Sequence, residues 1–458
     1  MFEIRKTTYE DLKRIEEIYA AARQKMRDIG NYSQWNNNYP SVSVVEEDIE
    51  KGNSYVVTDN DKVVATFAFI IGEDPTYKKI DGKWLNDLPY GTVHRIASDK
   101  GVKGIMPFVI DYVKRSGYDI RIDTHEKNSV MIHQILKCGF KYCGIIITDD
   151  GTPRNAYQLR KKVLVVVGPT AVGKTSFAID MANRYDGEII SGDSIQIYKG
   201  LDIGSAKATK EEQSRARHYL IDIKEPDENY SVKEFQDLSR HYIDEITRKG
   251  KLPIICGGTG LYIKASLYDY TFFDEDEEDN QYIDLSNEEI YELLKEKDPK
   301  ALEKIHVNNR KRLVRALNIL EKHDKGISEI KDEQEHKPVY DCLIIGLTKE
   351  RKELYQKIDE RIDQMIDDGL IDEIDGLLNK GISFDNQSMQ GIGYKEFRAY
   401  YDKEMPMEEC IDKVKSNTHH FVKRQYTFFK NQLDVKWYED KAAAEEFIEK
   451  WMENKEIC

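Results

Sequence analysis

A glycine-rich loop that directly follows a run of apolar residues constrains this chain more than any other feature. Residues 168–175 read Gly-Pro-Thr-Ala-Val-Gly-Lys-Thr and follow the apolar run 163–167. A buried strand, a Gly-x-x-x-x-Gly-Lys-Thr loop and a helix together are typical of a phosphate-binding P-loop. Glycines let backbone N–H groups turn toward an anion, Lys174 supplies a positive charge, and Thr175 offers a hydroxyl to Mg²⁺. The alternative is a glycine turn without a ligand. We predict a phosphate site made by Gly168, Pro169, Thr170, Ala171, Val172, Gly173, Lys174 and Thr175.

Length and composition indicate a multidomain protein with real hydrophobic cores. The chain has 458 residues, of which 40% are hydrophobic, so two or three domains are expected. No apolar run approaches the ~20 residues of a membrane helix, and the first residues lack the apolar stretch of a secretory signal. The six cysteines show no metal-ligand spacing and are expected as reduced thiols. We therefore expect a cytoplasmic, monomeric protein. The cysteines are Cys138, Cys143, Cys256, Cys342, Cys410 and Cys458.

The net charge of −15 argues against non-specific nucleic-acid binding by the whole surface, although local basic patches can still follow a phosphate backbone. The acidic run 274–279 is expected to be a solvated loop. Two basic segments, 306–315 and 413–430, stand out against this background, and the second also carries aromatic residues. Basic side chains can contact phosphates while aromatic rings stack on bases. The alternative is a solvated helix with its aromatic residues in the core.

The first 160 residues form a predicted domain that ends near residue 161, after turn residues at 149–153. Its pattern alternates a helix from Asp11 with strands at 54–58, 63–71, 92–97 and 120–124. Helices are predicted at 105–116 and 129–138. This order resembles the N-acetyltransferases of the GNAT superfamily, with segment 100–104, Asn128 and Gly139-Phe140 in matching places.

The GNAT resemblance implies a mixed α+β domain that binds acetyl-CoA for an unnamed acceptor. It places the coenzyme at Gly101, Lys103, Gly104 and Asn128. The tyrosine acid frequent in that superfamily is replaced here by Ile135, so an acetyltransferase-like domain with lost or altered catalysis is the alternative.

From residue 161 onward, strands and helices alternate, which predicts a parallel sheet with helices on both faces. Strands at 163–167, 188–190 and 252–256 each run into a polar or glycine-rich loop. In such sheets the ligand lies beyond the carboxyl ends of the strands, so Lys174, Asp193 and Thr259 should meet at one site. A carboxylate beside a phosphate cradle could position a hydroxyl in a kinase. It could equally accept a proton from an amine that attacks carbon while a diphosphate leaves.

The amino-acid sequences of these loops resemble those of the tRNA dimethylallyltransferase family, and the resemblance extends over essentially all of residues 163–440. The matching segments are 168–175, 193–207, 217–222, 257–262, 310–317, 389–396 and 423–425. The resemblance implies transfer of a dimethylallyl group from its diphosphate to the 6-amino group of adenosine at tRNA position 37, beside the anticodon.

Roles follow residue by residue from that resemblance. Loop 168–175 would hold the diphosphate, with Lys174 and, through Mg²⁺, Thr175 stabilising the leaving group. Asp193 would be the general base and Thr259 would lie near the reacting centre. The alternatives are that Asp193 caps a turn, that Thr259 serves turn chemistry, and that Gln196 and Tyr198 are packing residues. The implied tRNA contacts are Asp193, Ser194, Ile195, Gln196, Lys311, Arg312, Arg315, Gly391, Gly393, Tyr394, Lys423, Arg424 and Gln425.

A helical insertion at 263–328 is predicted to grip the anticodon stem-loop, because this connection is long for a compact α/β sheet. Flipping an adenosine out of its stack would bring the base to the pocket. The chain departs from the family at His419, Phe428 and Lys430, where an arginine, a tryptophan and an arginine are usual. We expect these departures to weaken or alter RNA contacts before they affect the chemistry.

The sequence thus predicts a GNAT-like α+β domain (1–160) followed by a P-loop parallel α/β domain (161–458) with a helical insertion. Three functions compete: an RNA prenyltransferase, an ATP-dependent small-molecule kinase, and a tRNA-binding scaffold whose catalysis has decayed. The prenyltransferase is favoured because Lys174, Thr175, Asp193 and Thr259 are all intact.

Overall fold

The structure is a computed structural model that describes residues 1–35, 38–270, 272, 282, 284–303, 305–323, 326, 329 and 337–454. The acidic run 274–279 and Cys458 lie outside the described residues. The other five cysteines carry free thiols.

The N-terminal region is built on an eight-stranded mixed sheet with the strand order β1-β2-β3-β5-β6-β8-β7-β4. Its strands are β1 (Phe2–Lys6), β2 (Ser54–Asp59), β3 (Lys62–Ile71), β4 (Ile80–Gly82), β5 (Tyr90–Ser98), β6 (Asp119–Thr124), β7 (Lys141–Ile147) and β8 (Pro153–Leu159). Its helices are α1 (Leu12–Asp28), α2 (Val42–Glu50), α3 (Ile105–Lys114) and α4 (Ser129–Lys137).

The predicted strands and helices of this region are confirmed within a few residues. The hairpin between β2 and β3 turns at Asn60 and Asp61, which both take positive φ. Two such residues in succession are typical of the type I′ turn that joins twisted antiparallel strands. Strand β8 agrees with the strand-like end predicted for the segment 149–162, whereas α2 and strands β1, β4 and β7 were not predicted.

Strands β5 and β6 run side by side only at their beginnings. Parallel pairing joins Tyr90–Thr92 to Asp119–Arg121, yet β5 continues to Ser98 and β6 to Thr124. Beyond the pairing the two strands separate and leave a wedge in the sheet.

The second sheet has six strands, all parallel, in the order β11-β10-β12-β9-β13-β14. Its strands are β9 (Lys162–Val167), β10 (Gly187–Ser191), β11 (His218–Tyr219), β12 (Leu252–Gly257), β13 (Asp341–Leu347) and β14 (Val435–Tyr438). Residues 163–167 of β9 are fully buried, as expected for a central strand covered on both faces. The predicted fold class is confirmed for both regions. Strands β11, β13 and β14 were not predicted.

Helices surround this second sheet or belong to the segment inserted in it. They are α5 (Lys174–Arg184), α6 (Lys210–Arg215), α7 (Val232–Arg248), α8 (Gly260–Leu267), α9 (Asn287–Lys297), α10 (Arg310–His323), α11 (Arg351–Asp367), α12 (Leu370–Asn379), α13 (Arg398–Tyr401), α14 (Met407–Gln432) and α15 (Lys441–Met452). Among the described helices, none is both long and apolar enough to cross a membrane.

Residues Lys264–Pro338 form a compact unit of their own, whereas Met1–Ile263 and Val339–Cys458 form the other. The smaller unit has its own core, in which Ile290 and Leu294 of α9 pack with Leu313 and Leu317 of α10. It contains the predicted helical insertion and extends ten residues beyond the predicted end.

Both sheets lie within the larger unit. The first ends at Leu159 and the second begins at Lys162, so the predicted boundary falls between them. Lys161 ties the two regions together, because its amide donates to Asp119 at 3.2 Å and its ammonium group pairs with Asp244 at 2.5 Å. The division into a 1–160 domain and a 161–458 domain stays a prediction.

Candidate active site

The carboxyl ends of β9, β10 and β12 open into one cavity of about 540 Å³. Of the predicted P-loop residues, Thr170, Lys174 and Thr175 line it. Gly168 and Gly173 both take positive φ, and a Cβ on Gly168 would lie 2.5 Å from the Leu347 carbonyl oxygen. The loop therefore has the backbone conformation that glycine permits, and α5 begins at Lys174 with its N-terminus at the cradle. Such a helix terminus favours bound anions.

Lys174 and Asp193 are the charged pair at the centre of this cavity. The Lys174 ammonium group donates to the Pro169 carbonyl oxygen at 2.7 Å. Burial and, to a smaller extent, nearby Arg361 lower the pKa of Lys174 to about 8, while Cys256 and Asp193 oppose the shift. Burial raises the pKa of Asp193, against the effect of two backbone N–H groups and Lys174. A carboxyl group with a raised pKa accepts a proton more readily, which suits a general base.

Asp193 also shapes its own loop, as the alternative interpretation proposed. Its Oδ1 accepts from the Ile195 amide at 2.9 Å and the Gln196 amide at 3.4 Å. These bonds use only one carboxylate oxygen, so capping the turn and accepting a proton are compatible. Thr259 reaches the same loop, because its Oγ1 accepts from the Ser194 amide at 3.3 Å. Asp193, Ser194 and Thr259 all line the cavity, as predicted.

Close backbone contact between two loops brings these residues together. A Cβ on Gly257 would lie 2.3 Å from the Gly192 carbonyl oxygen, so only glycine allows the loops after β10 and β12 to touch. The Thr259 amide donates to the Gly192 carbonyl oxygen at 3.2 Å. The glycine at position 257 therefore decides the spacing between Asp193 and Thr259.

The side chain of Gln196 is hydrogen-bonded to other residues of the protein. Its Nε2 donates to the carbonyl oxygens of Ser205 and Ala206 at 3.3 and 3.2 Å, and its Oε1 accepts from Ser191 at 3.0 Å. Gln196 thus holds the 205–206 loop beside the cavity. Tyr198 is fully buried, which agrees with the packing alternative for that residue.

The predicted segment 391–394 forms part of the cavity wall. Gly391 and Gly393 line the cavity, and a Cβ on Gly391 would lie 3.1 Å from the Ile195 side chain. Tyr394 is fully buried; its hydroxyl donates to Glu373 at 2.7 Å and accepts from the Ser205 amide at 3.1 Å. A side chain without exposed surface does not touch RNA directly in this conformation. Tyr394 instead holds the loop that Gln196 also holds.

Helix α14 supplies Arg424 and Gln425 to the cavity, whereas Lys423 is exposed beside them. Gln425 donates through Nε2 to the Gly258 carbonyl oxygen at 3.0 Å, and its buried Oε1 has no partner among the described residues. His218 supplies a second buried acceptor atom to the cavity. Its Nδ1 lies 2.8 Å from the Ala216 carbonyl oxygen, so the proton of the imidazole ring is on Nδ1. Its buried Nε2 then carries a lone pair without a partner in the described chain. Burial lowers the pKa of His218, which favours this neutral form.

Arg361 of α11 is a cavity residue that was not predicted from the sequence. It lines the cavity, and burial lowers its pKa. None of the described residues gives its guanidinium group a hydrogen bond or an ion pair. The sequence did contain a signal: Leu354, Ile358 and Ile362 form the buried stripe of α11, and position 361 follows Ile358 by three residues on the same face. An arginine within an apolar stripe is unusual unless it has a partner.

The predicted basic residues of the smaller unit lie on α10. Lys311, Arg312 and Arg315 are exposed, as an RNA contact requires. Arg310 has a structural task, because its guanidinium group donates to the carbonyl oxygens of Tyr282 and Leu285 at 2.6 and 2.7 Å.

The three departures from the family pattern all lie on α14. The His419 ring stacks on Tyr355 with centroids 4.1 Å apart, and its Nε2 lies 2.9 Å from Asp359. Phe428 packs against Gly260, at the start of α8, and Lys430 is exposed. Phe429 is fully buried and the Tyr426 hydroxyl lies 2.7 Å from the Thr348 hydroxyl. The structure therefore favours the core alternative for these aromatic rings.

In the N-terminal region, the predicted coenzyme residues lie at two helix starts. Gly101 and Gly104 take positive φ, and Gly104 is the N-cap of α3. Lys103 is exposed in the same loop. Asn128 caps α4 by accepting from the Met131 amide at 3.3 Å. Ile135 is fully buried in the core, so no acid group occupies its place.

A parallel sheet with a P-loop after its central strand, and a cavity that joins this loop to a buried carboxylate, define a P-loop enzyme. The model of the IPP transferase family matches residues 196–432, more than half of the chain, and the chain therefore belongs to that family, an enzyme family of the prenyltransferase class. The predicted resemblance of the C-terminal region is confirmed.

Individual relatives agree with this assignment. A tRNA dimethylallyltransferase of Anoxybacillus flavithermus is 50% identical over 282 residues, which are 61% of this chain and 90% of that protein. A crystal structure of a eukaryotic dimethylallyltransferase acting on tRNA is 27% identical, with a TM-score of 0.59, and covers 65% of this chain and 81% of its own. Apart from this assignment, the N-terminal third of the chain is similar to a GNAT-family acetyltransferase structure from Streptococcus agalactiae, which is 31% identical, with a TM-score of 0.32, and covers 34% of this chain and 94% of its own.

Proposed function

We propose that the chain transfers the dimethylallyl group of dimethylallyl diphosphate to the 6-amino group of adenosine at position 37 of tRNA, giving isopentenyladenosine. One observation carries the proposal. A single cavity joins the cationic residues Lys174 and Arg361 to Asp193 and the unpaired acceptors of His218 and Gln425. The cations suit a diphosphate, and the acceptors suit an amino group, which is a hydrogen-bond donor.

The reaction breaks the carbon–oxygen bond of the allylic diphosphate and forms a bond from that carbon to the amino nitrogen. Asp193 accepts the proton that the nitrogen loses, and the diphosphate leaves with the bonding electron pair. Lys174 and the P-loop amides stabilise the charge on the leaving oxygen. Ser194 and Thr259 hold the loop that carries Asp193.

A magnesium ion fits this chemistry because the oxygen donors that Mg²⁺ prefers are present. Among the described residues, no cluster of three or more His, Cys, Asp or Glu side chains forms a metal site, so the diphosphate itself would supply ligands. Thr175 would hold the ion from the protein side. When bound, Mg²⁺ would neutralise part of the diphosphate charge.

In this proposal, residues on four segments contact the tRNA. Ile195, Gly391, Gly393, Arg424 and Gln425 line the cavity and would enclose the flipped base. The exposed Lys423 would follow the backbone of the anticodon stem-loop, as would Lys311, Arg312 and Arg315 on the smaller unit.

For residues 1–160 we propose a separate domain that binds acetyl-CoA and transfers an acetyl group. The loop that ends at Gly104 presents backbone amides at the N-terminus of α3, where pyrophosphate groups bind favourably. Gly101, Lys103 and Asn128 would contribute to this site.

Label transfer to tRNA tests the main proposal. Purified protein is incubated with unmodified tRNA, labelled dimethylallyl diphosphate and Mg²⁺, and label in the tRNA is measured. We expect label at adenosine 37 and none in a transcript with guanosine at that position. Tight tRNA binding without label would identify a scaffold. ATP turnover without label would identify a kinase.

Replacing Arg361 by glutamine is expected to raise the KM for dimethylallyl diphosphate by about tenfold to 100-fold, because hydrogen bonds to charged groups contribute about 1.5–3 kcal/mol. Steady-state kinetics with tRNA in excess measures this change. Arg351→Gln is the matched control on the same helix, since Arg351 is exposed and, among the described residues, its guanidinium group contacts Tyr355 alone. The role fails if both variants have the wild-type KM. Unfolding is not expected to explain the loss, because the substitution removes an unpaired charge.

A further inference from the structure

A second cavity, of about 580 Å³, lies in the wedge between β5 and β6 of the N-terminal sheet. It is lined by residues 94–96 of β5 and 122–124 of β6, which follow the last paired positions of these strands. Asn128, predicted as a coenzyme residue, lines it as well. The cavity therefore adjoins the proposed acetyl-CoA site.

A histidine and an aspartate form a fixed pair in this cavity. His94 Nε2 lies 2.8 Å from Asp74 Oδ2, and both side chains are largely buried. Asp74 is held by Thr76, whose amide and hydroxyl donate to Oδ1 at 2.9 and 2.6 Å. Burial alone would raise the pKa of Asp74, but the bonds from His94 and Thr76 outweigh it and lower the pKa to about 2. An ionised Asp74 keeps the proton of neutral His94 on Nε2, so the lone pair lies on Nδ1.

The cavity carries more negative than positive charge. Its arginines are already paired, Arg95 with Asp48 at 2.6 Å and Arg154 with Asp150 at 3.9 Å. Two further lining carboxylates, Asp123 and Asp149, have no cationic partner among the described residues. Asp123 accepts only from the Tyr77 hydroxyl, at 2.7 Å.

A buried hydroxyl group supplies an independent sign of a ligand. Thr124 is fully buried and lines the cavity, yet its Oγ1 has no hydrogen-bond partner in the part of the chain that the structure describes. Leaving a buried polar atom unpaired costs about 1–3 kcal/mol. A polar ligand in the wedge would remove this cost.

We propose that this cavity binds a short diamine, with one amino group at His94 and the second, charged one at Asp123. The Tyr77 ring relates the two sites: its centroid is 6.1 Å from that of His94 and its hydroxyl is bonded to Asp123. Tyr77 therefore connects His94 and Asp123, and both of these residues line the same cavity. Asp149, exposed at the rim, adds a further negative charge that favours cations.

The proposal rests on the proposed acetyl transfer, whose acceptor it names. The diamine nitrogen attacks the thioester carbonyl carbon, a nitrogen–carbon bond forms, and the carbon–sulfur bond breaks. His94 takes the proton from the nitrogen and returns it to the departing coenzyme A thiolate. Asp74 is a positioning residue that keeps the imidazole oriented and stabilises its charged form, as in other Asp–His pairs.

Acetylation of 1,4-diaminobutane and 1-aminobutane by the full chain tests the proposal, with acetyl-CoA as donor and thiol release as readout. We expect kcat/KM at least tenfold higher for the diamine. Asp123→Asn should remove this preference by lowering kcat/KM for the diamine toward that for the monoamine. His94→Gln should lower kcat for both amines by 10²-fold or more. Asp74→Asn should lower kcat for both amines without changing their KM, and Asp111→Asn, at an exposed position on α3, should change neither constant.

Calorimetry with each compound alone distinguishes failure of the diamine proposal from failure of the acetyl-transfer proposal on which it rests. Acetyl-CoA binding with equal or no turnover of the two amines would overturn the diamine site. Diamine binding that is lost in Asp123→Asn, without acetyl-CoA binding, would confirm the cation site and overturn acetyl transfer. Binding of neither compound would overturn both.

Discussion

Replacing Asp193 by asparagine is expected to lower kcat for prenyl transfer by about 10²–10⁴-fold, the usual contribution of a general base. Asparagine retains an Oδ1 that can accept from the Ile195 and Gln196 amides, as Asp193 does at 2.9 and 3.4 Å. The loop is therefore preserved while the proton acceptor is lost. Single-turnover label transfer to tRNA measures the chemical step directly.

Asp193→Ala is the companion variant that separates catalysis from turn formation. Alanine removes both the base and the turn hydrogen bonds. If Asp193 only shapes the loop, the asparagine variant should stay active while the alanine variant fails. Near-equal losses in both variants, with tRNA binding retained, are expected for a base. Wild-type activity in Asp193→Asn would disprove the role.

Replacing Lys174 by methionine is expected to lower kcat by about 10²–10³-fold, the usual effect of removing one donor from a site that stabilises developing charge. Lys174 is the cationic side chain of the P-loop itself and is buried beside Asp193. Methionine keeps most of the side-chain volume, so the cradle should keep its shape. A loss confined to KM would show that Lys174 contributes to binding but not to the transition state.

The pH dependence of kcat/KM for dimethylallyl diphosphate gives the control for Lys174. Because burial lowers its pKa to about 8, free enzyme loses this positive charge above that pH, and kcat/KM should fall there. Bound diphosphate opposes deprotonation, so kcat should fall less. Lys174→Arg keeps its charge at all accessible pH values, so the fall near pH 8 should disappear. If the fall persists in that variant, another group causes it.

Much of this site was predictable because local sequence encodes it. The P-loop needs glycine at 168 and 173, where φ is positive, and the helix start at Lys174 follows directly. Asp193 and Thr259 were predicted from the rule that loops after parallel strands meet at one edge. The structure brings them into contact through Ser194.

Other features were not predictable from the sequence, because they depend on contacts between residues that are distant in the chain. Tyr394 lies in a segment that was predicted to contact RNA, but its hydroxyl is hydrogen-bonded to Glu373 and the Ser205 amide. The burial of Tyr394 depends on the packing of three segments that are distant in sequence. Strand β14 is only four residues long and forms because β13 offers it an edge. The aromatic residues of α14 were open to two interpretations until their neighbours were known.

The sequence by itself determined the phosphate loop, the parallel sheet behind it and the family to which the C-terminal region belongs, because backbone conformation and strand burial are properties of short segments. Only the tertiary structure decided that Arg361 enters the P-loop cavity, and that Arg361 and the acceptors of His218 and Gln425 there have no partner among the described residues. It also decided that His94, Asp74 and Asp123 share a cavity in the other sheet. The physical reason is that charge pairing and burial depend on which distant side chains a fold places within a few ångströms.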